Sequence, residues 1–383
     1  MRCPRCKSEN NIVTIGSLIY CRNCLAFGRV EIHHYAPLNL EVKPQGEVSY
    51  HLDYTLSEDQ TRISQQIIKA VKNKQHVMVQ AVCGSGKTEI VYPVILEMLS
   101  LNKHVCFALP RKDLVLELYD RFVSQFSGVE ITYVYGSHKD KLYAPLVICT
   151  THQLYRYPRF FDLLIIDEAD AFPFYGNEVL MQVSFSSCKG QCILMSATLQ
   201  APPPNLPFVH LTLDKRYHHT PLDYPKIYYI IYLFLYVTLN RFIQKKQPVI
   251  IYVPTKDDGK KLLKLLKRKR CKGMYVDSRE SRLKTIIDDF KLGKLDYIVS
   301  TTILERGITI ENVQVIVFKA SHHVFDRKTL IQICGRVGRK INHPSGNIIF
   351  LTHHLTPAIK ACLKYIRQKN ASYAKNTLGM KEI

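Results

Sequence analysis

The sequence predicts an α/β protein in which two parallel-sheet units follow a small metal-binding module. Three observations carry that prediction. Short apolar runs alternate with longer mixed stretches through both halves. One run opens into a glycine loop and another ends in paired carboxylates, and four cysteines crowd the first 24 residues. A chain of 383 residues exceeds one ordinary core and suits two or three domains. With 46% hydrophobic and 22% charged residues, it has the balance of a folded globular protein, which excludes a disordered tail, a collagen-like repeat and a small disulfide scaffold.

The first element is the cysteine module, residues 1–45. Cys3-x-x-Cys6 and Cys21-x-x-Cys24 have the spacing of a four-thiolate zinc site, two knuckles joined by a hairpin. So short a segment buries little core, and bound Zn²⁺ supplies much of its folding free energy. A redox role needs one pair on a strand-helix unit, which this stretch lacks. Four thiolates leave no open position, so the metal is structural. The other eight cysteines are scattered, several inside apolar runs (Cys106, Cys149), as reduced buried thiols are. Met1-Arg2-Cys3-Pro4 lacks the apolar core of an export signal, and the expected location is cytoplasmic.

The second element is a nucleotide-binding unit, residues 46–205. Expected strands lie at 77–80, 104–109, 146–149, 163–166 and 192–195. His76 to Gln80 leads into Ala81-Val82-Cys83-Gly84-Ser85-Gly86-Lys87-Thr88 and then an apolar helical stretch, the strand-loop-helix order of a phosphate-binding loop. Gly84, Ser85 and Gly86 let backbone N–H groups close around phosphates of ATP. Lys87 reaches the β and γ phosphates, and the Thr88 hydroxyl holds Mg²⁺. The first glycine of the strict pattern is Ala81 here. Leu163 to Ile166 is continuously apolar, as in a strand buried on both faces, and ends in Asp167-Glu168-Ala169-Asp170. Asp167 then faces Mg²⁺ and Glu168 the attacking water. Ser57-x-x-Gln60 is a helix capping box by spacing.

The third element is a second unit, residues 206–383, with expected strands at 249–253, 297–300, 313–317 and 347–351. Ala201 to Pro207 carries four prolines in seven residues and reads as the linker. The longest apolar run, Ile227 to Leu239, has 13 residues, short of the ~20 that span a bilayer, and reads as a buried helix or strand. Charge is unevenly placed: residues 1–205 hold 20 basic and 19 acidic side chains, residues 206–383 hold 33 and 13. That +20 points to a polyanion, either nucleic acid or an anionic membrane surface. The excess concentrates in Lys256 to Lys272, where Leu262, Leu263, Leu265 and Leu266 form an expected buried face. The lysines around it serve either as a solvated face or as phosphate contacts.

The ordered motifs resemble those of superfamily-two helicases and translocases. The glycine loop, Asp167 to Asp170 and Ser196-Ala197-Thr198 are similar to motifs I, II and III. Val249 to Thr255, Ser300 to Thr309 and Gln332 to Arg339 are similar to motifs IV, V and VI. Gln332-Ile333 and Glu305-Arg306-Gly307 depart from the DEAD-box RNA helicases. The four-cysteine module, Thr150-Thr151-His152-Gln153-Leu154, Asp167 to Pro173 and Thr301 to Gly307 together resemble the ComFA family, late competence proteins of Gram-positive bacteria. The larger PriA restart helicases are a more distant likeness.

The resemblance implies two RecA-like domains with ATP in the cleft between them. It implies that Arg336 and Arg339 stabilise the transferring phosphoryl group when the cleft closes; otherwise they are a surface pair on a basic helix. Gln60 then also reads adenine, Gln332 senses the γ-phosphate, and Ser196 and Thr198 couple closure to the nucleic-acid path. Arg111, Thr151, His152, Thr301 and Thr302 touch the strand backbone. The implied activity is a DNA-dependent ATPase that translocates on single-stranded DNA during import of transforming DNA. Implied partners are other competence proteins and a membrane DNA channel, with a peripheral position at the inner membrane face. The alternatives are a PriA-like repair or restart helicase and a nucleic-acid binder with a vestigial ATPase, against which Lys87, Glu168 and Arg339 weigh.

Overall fold

In the computed structural model, residues 1–383 are described except 137, 139, 199–206, 267–270, 278–279, 281, 302–309 and 379–383, and except the side chains of 284, 372 and 374–378. The proposed linker and its boundary at 205/206, together with Thr302 and most of motif V, therefore lie outside the described residues. Spatially the chain forms two units, Met1–Ala81 with Gly86–Leu213, and Val82–Ser85 with Asp214–Ile383.

The cysteine module is built on a hairpin, β1 (Ile12–Ile15) against β2 (Leu18–Cys21). Gly16 turns it with φ +59°, a conformation that favours glycine. β3 (Ser49–Tyr50) follows, then α1 (Glu58–Lys72), β4 (His76–Ala81), α2 (Tyr92–Ser100), β5 (Val105–Leu109) and α3 (Lys112–Gln125). β6 (Phe126–Ser127) pairs with β3, and β7 (Ile131–Val134), β8 (Leu146–Thr150), β9 (Phe161–Ile166), α4 (Glu178–Ser186), β10 (Cys188–Ser196) and β11 (Phe208–Leu213) complete the unit.

Among the described residues, seven of these strands form one parallel sheet in the order β11-β4-β10-β9-β5-β8-β7. Both faces are covered, which is why β5 and β8 are buried at every position. Ile63, Ile67, Ala70 and Val71 recur at helical spacing along α1 and pack with Val77, Phe107 and Ile165. Met78, Leu164, Ile166 and Leu194 belong to a second cluster that includes Tyr157, Phe160 and Phe161. Each fully buried side chain of this size contributes about 1.5–3 kcal/mol.

The second unit carries β12 (Lys226–Tyr229), α5 (Tyr232–Gln244), β13 (Val249–Tyr252), α6 (Lys256–Leu266), β14 (Gly273–Val276) and α7 (Leu283–Lys291). β15 (Tyr297–Ser300), β16 (Gln314–Phe318), α8 (Arg327–Cys334), β17 (Ile348–Thr352) and α9 (Pro357–Leu378) follow. Its described strands form a parallel sheet in the order β12-β17-β16-β13-β15-β14.

Two expectations are corrected here. The apolar run 227–239 is not one buried element: it splits into edge strand β12 and helix α5, burying Leu235 and Leu239 while Tyr229 and Leu233 stay 75% and 70% exposed. On α6, Leu262 and Leu266 are buried but Leu265 is 46% exposed, because at ~100° per residue the four leucines spread over an arc of ~160°, with Leu262 and Leu266 at its centre and Leu265 at one margin. No described helix is long and apolar enough to cross a membrane.

Candidate nucleotide site and cysteine centre

The polar residues singled out in the first unit gather at or just beyond the carboxyl ends of parallel strands, where open α/β sheets place their ligand sites. Lys87 follows β4, Arg111 follows β5, Thr151 and His152 follow β8, Asp167 and Glu168 follow β9, and Ser196 ends β10. The loop after β4 uses its glycines: Gly84 has φ +80° and Gly86 φ +75°. A Cβ on Gly86 would also collide with the Gln60 side-chain amide.

Gln60 is 1% exposed and closes the capping box of α1. Its N–H donates to Ser57 Oγ at 3.3 Å, and Ser57 N–H donates to its Oε1 at 2.8 Å. The structure thus brings Gln60 against the glycine loop as well as the helix terminus.

Lys87 Nζ lies 3.8 Å from Asp167 Oδ1 and 3.6 Å from Glu168 Oε1, with all three side chains largely buried. Burial pushes the Asp167 carboxyl up to about 6; Lys87 opposes the rise and Glu168 adds to it. A buried carboxylate in that position favours a cation partner, so the Asp167 carboxylate suits Mg²⁺. Glu168 adopts φ +52°, a left-handed conformation unusual for a side chain of its kind and of the sort stored at functional sites. The turn is anchored by Asp167 N–H to Ala108 O at 3.0 Å and Ala169 N–H to Met195 O at 3.0 Å.

The acidic turn also reaches the end of β10. Thr198 Oγ1 donates to Asp170 Oδ2, and Thr198 N–H donates to Ser196 Oγ at 3.0 Å. Asp170, Ser196 and Thr198 are all buried.

In the second unit, Thr301 follows β15, Gln332 is buried on α8, and Arg336 and Arg339 lie in the turn beyond it. Asp326 caps α8 by accepting from Thr329 N–H at 2.7 Å, and Arg339 Nε donates to Gly335 O at 2.7 Å. Sequence reasoning missed what holds this turn. Arg216, 2% exposed, donates to Val337 O at 3.0 Å and Gly338 O at 3.1 Å and pairs with Asp223 at 3.5 Å. Tyr217 Oη donates to Arg339 O and His218 Nε2 to Gly338 O, each at 2.8 Å. An isolated arginine has no spacing signal; only tertiary contact reveals it. Lys260, Lys261 and Lys264 are exposed, Lys256 pairs with Asp277 at 3.4 Å, and Lys267 and Arg268 lie outside the described residues.

The four clustered cysteines are brought together. Their sulfurs lie within 4.8 Å of one another, with Cys3 to Cys24 at 3.8 Å and Cys6 to Cys21 at 3.5 Å. A tetrahedron of Zn–S bonds of ~2.3 Å separates its sulfurs by ~3.8 Å, so the donor set fits zinc. Cys106 and Cys149 are fully buried on adjacent strands, and burial raises the Cys106 thiol well above its ordinary value.

Residues 61–206 match the DEAD/DEAH box helicase family, and residues 231–340 match the helicase conserved C-terminal domain. The two units are accordingly tandem RecA-like domains. The chain is 34% identical to competence protein ComFA of Streptococcus pneumoniae over 96% of its own length and 90% of that relative. It is 31% identical to ComFA of Bacillus subtilis over 93% of its length and 81% of the relative. In fold it is similar to the Mycobacterium smegmatis helicase Lhr bound to ssDNA and AMP-PNP, with TM-score 0.62, 16% identity and coverage of 82% of this chain and 50% of that one. Saccharomyces cerevisiae Dbp5 bound to RNA and ADP BeF3 superposes with TM-score 0.57 and 17% identity over 82% of this chain and 91% of that one.

Proposed function

We propose a function from one premise: the chain belongs to the ComFA family of superfamily-two, DEAD/DEAH-type helicases. Its ATP-hydrolysing motor is dependent on DNA, translocates on single strands and serves the import of transforming DNA during competence. The observation that carries this reading is the Asp167–Asp170 turn, whose first two carboxylates lie beside Lys87 and whose last accepts from Thr198, itself bonded to Ser196. Nucleotide chemistry and the polar strand ends beside it share one hydrogen-bonded turn.

Each residue has a task in this reading. The Gly84–Gly86 backbone and Lys87 bind the phosphates, and Gln60 meets the base. Thr88 and Asp167 would hold Mg²⁺, which when bound would offset phosphate charge. Glu168 orients the attacking water, so its conformation and its distance from Lys87 decide turnover. Displacement of the Lys87 ammonium toward phosphate releases both carboxylates from their ion pairs. Arg336 and Arg339, on the turn clamped by Arg216, stabilise the charge of the transferring phosphoryl group, an effect worth ~10³–10⁵ in rate. Gln332 senses the γ-phosphate. Arg111, Thr151, His152 and Thr301 track the backbone of the strand, while Ser196 and Thr198 transmit nucleotide state.

The test is ATP turnover at fixed salt with single-stranded DNA, duplex DNA or RNA, on the parent chain and on Glu168→Gln. Single-stranded DNA is expected to stimulate most, with turnover of the variant reduced by at least about 10³-fold. Stimulation by RNA alone contradicts the substrate assignment. Unchanged turnover in Glu168→Gln contradicts the chemistry.

A further inference from the structure

The cysteine module builds a concavity that nucleotide chemistry does not use. The turn Arg22–Phe27 of the module meets the turn Thr151–Arg156 that follows β8. The Phe27 ring centre lies 6.3 Å from that of His152, with planes 28° apart, and 6.2 Å from that of Tyr155. Arg156 stands over the Tyr155 ring at 4.8 Å and Arg5 at 5.7 Å. Arg5 also donates to the carbonyls of Phe27 and Gly28, each at 3.1 Å, fixing the turn that presents the phenyl ring. Around these groups opens a cavity of about 530 Å³, lined also by Asn23 and Asn177.

The wall chemistry narrows the ligand. It offers aromatic faces, side-chain amides and a guanidinium, and none of the described residues lining it is acidic. Burial holds the His152 imidazole below its ordinary value, so near neutral pH the ring presents a π face without a charge. Flat ligands with polar edges and an attached anion match such a surface, and an unstacked base carrying its phosphate has all three properties. The volume lies in the range of small-ligand sites and accommodates a nucleotide. Position supports the match. His152 is the neighbour of Thr151, whose buried Oγ1 has no hydrogen-bond partner among the described residues.

We propose that the cavity between the cysteine module and the first sheet binds one unstacked base of single-stranded DNA, gripped by Phe27 and His152 with Arg156 on its phosphate. This assignment rests on the single-strand motor reading above. It gives the module a role in holding the strand as well as a metal. Stacking on aromatic side chains contributes ~1–3 kcal/mol per base, or about 5- to 150-fold in affinity.

Two measurements test it, both on the full chain. In the first, an oligo-thymidine carrying 5-iodouracil is photo-crosslinked to the unaltered protein and the adducts are mapped by peptide sequencing. Adducts at Phe27, His152 or Tyr155 are expected. In the second, single-strand affinity is compared in Phe27→Leu, which keeps apolar bulk but no π face, and in Phe27→Trp, which keeps both. Leucine is expected to weaken binding by about fivefold or more, with tryptophan close to the parent. Binding with adducts only elsewhere, or equal affinity in the leucine variant, overturns the pocket and leaves the motor intact. Failure of the unaltered chain to hold the oligonucleotide removes both readings. Because the crosslink uses the unaltered chain, it decides the matter even if leucine loosens the module.

Discussion

Thr198 makes the smallest contact with the widest consequence. Its hydroxyl is spent on Asp170, three residues beyond the carboxylate assigned to Mg²⁺, inside a buried cluster where an unmet acceptor costs ~1–3 kcal/mol. Thr198→Val preserves shape and removes that bond. The ratio of DNA-stimulated to unstimulated ATP turnover is expected to fall by about fivefold or more. An unchanged ratio dissociates this threonine from coupling. Residue-scale legibility divides along the same line. Lys87, Asp167 and Glu168, which the structure brings within 4 Å of one another, stood out because a glycine loop after one strand and an acidic pair after another are local patterns. Arg216 did not, because its partners Val337 and Gly338 are carbonyls more than a hundred residues away. The left-handed backbone of Glu168 was equally silent in a sequence that offers no glycine there.

Among the elements, central strands announced themselves and edges did not. β5, β8 and β13 are buried at every position and read as apolar runs. β7 alternates, β14 is only partly covered, and β12 is mostly exposed, so their patterns fade toward those of loops. The same half-exposure divided the 227–239 run and set Leu265 outside the core of its helix. The cysteine module is the opposite case, legible from four residues because each Cys-x-x-Cys pair is a short local pattern used by thiolate metal sites. Its hairpin has few apolar partners, and two pairs of its sulfurs lie 3.5–3.8 Å apart, so a metal held there would be its main source of order. Metal analysis of freshly purified protein is expected to find one zinc per chain. A strong chelator should then remove hydrogen-exchange protection from residues 12–21 while the amides of β4 and β9 stay protected. Absence of zinc, or hairpin protection unaffected by its removal, contradicts the structural role.

At the scale of the whole molecule, charge and chemistry are divided between the two halves of the chain. The half with the glycine loop and acidic pair is nearly neutral, and the half with Arg336 and Arg339 carries +20. Sequence arithmetic located that excess but not its availability. Lys319, Lys369 and Lys256 are engaged by Asp258, Asp214 and Asp277, whereas Lys260, Lys261 and Lys264 stand exposed on α6. If the exposed ones neutralise phosphates, the salt dependence of binding is expected to steepen by ~0.7 in log–log slope per phosphate of a single strand, and replacing them should lower it; an unchanged slope makes them a solvated face. A motor requires that such a grip be released and renewed by the Lys87–Glu168 chemistry. The direct test is displacement of streptavidin from end-biotinylated single-stranded DNA, with parent chain and Lys87→Ala compared in ATP. The parent is expected to strip streptavidin from the strand and Lys87→Ala to leave it bound. Parent protein that hydrolyses ATP on single-stranded DNA yet displaces nothing from either end would contradict translocation.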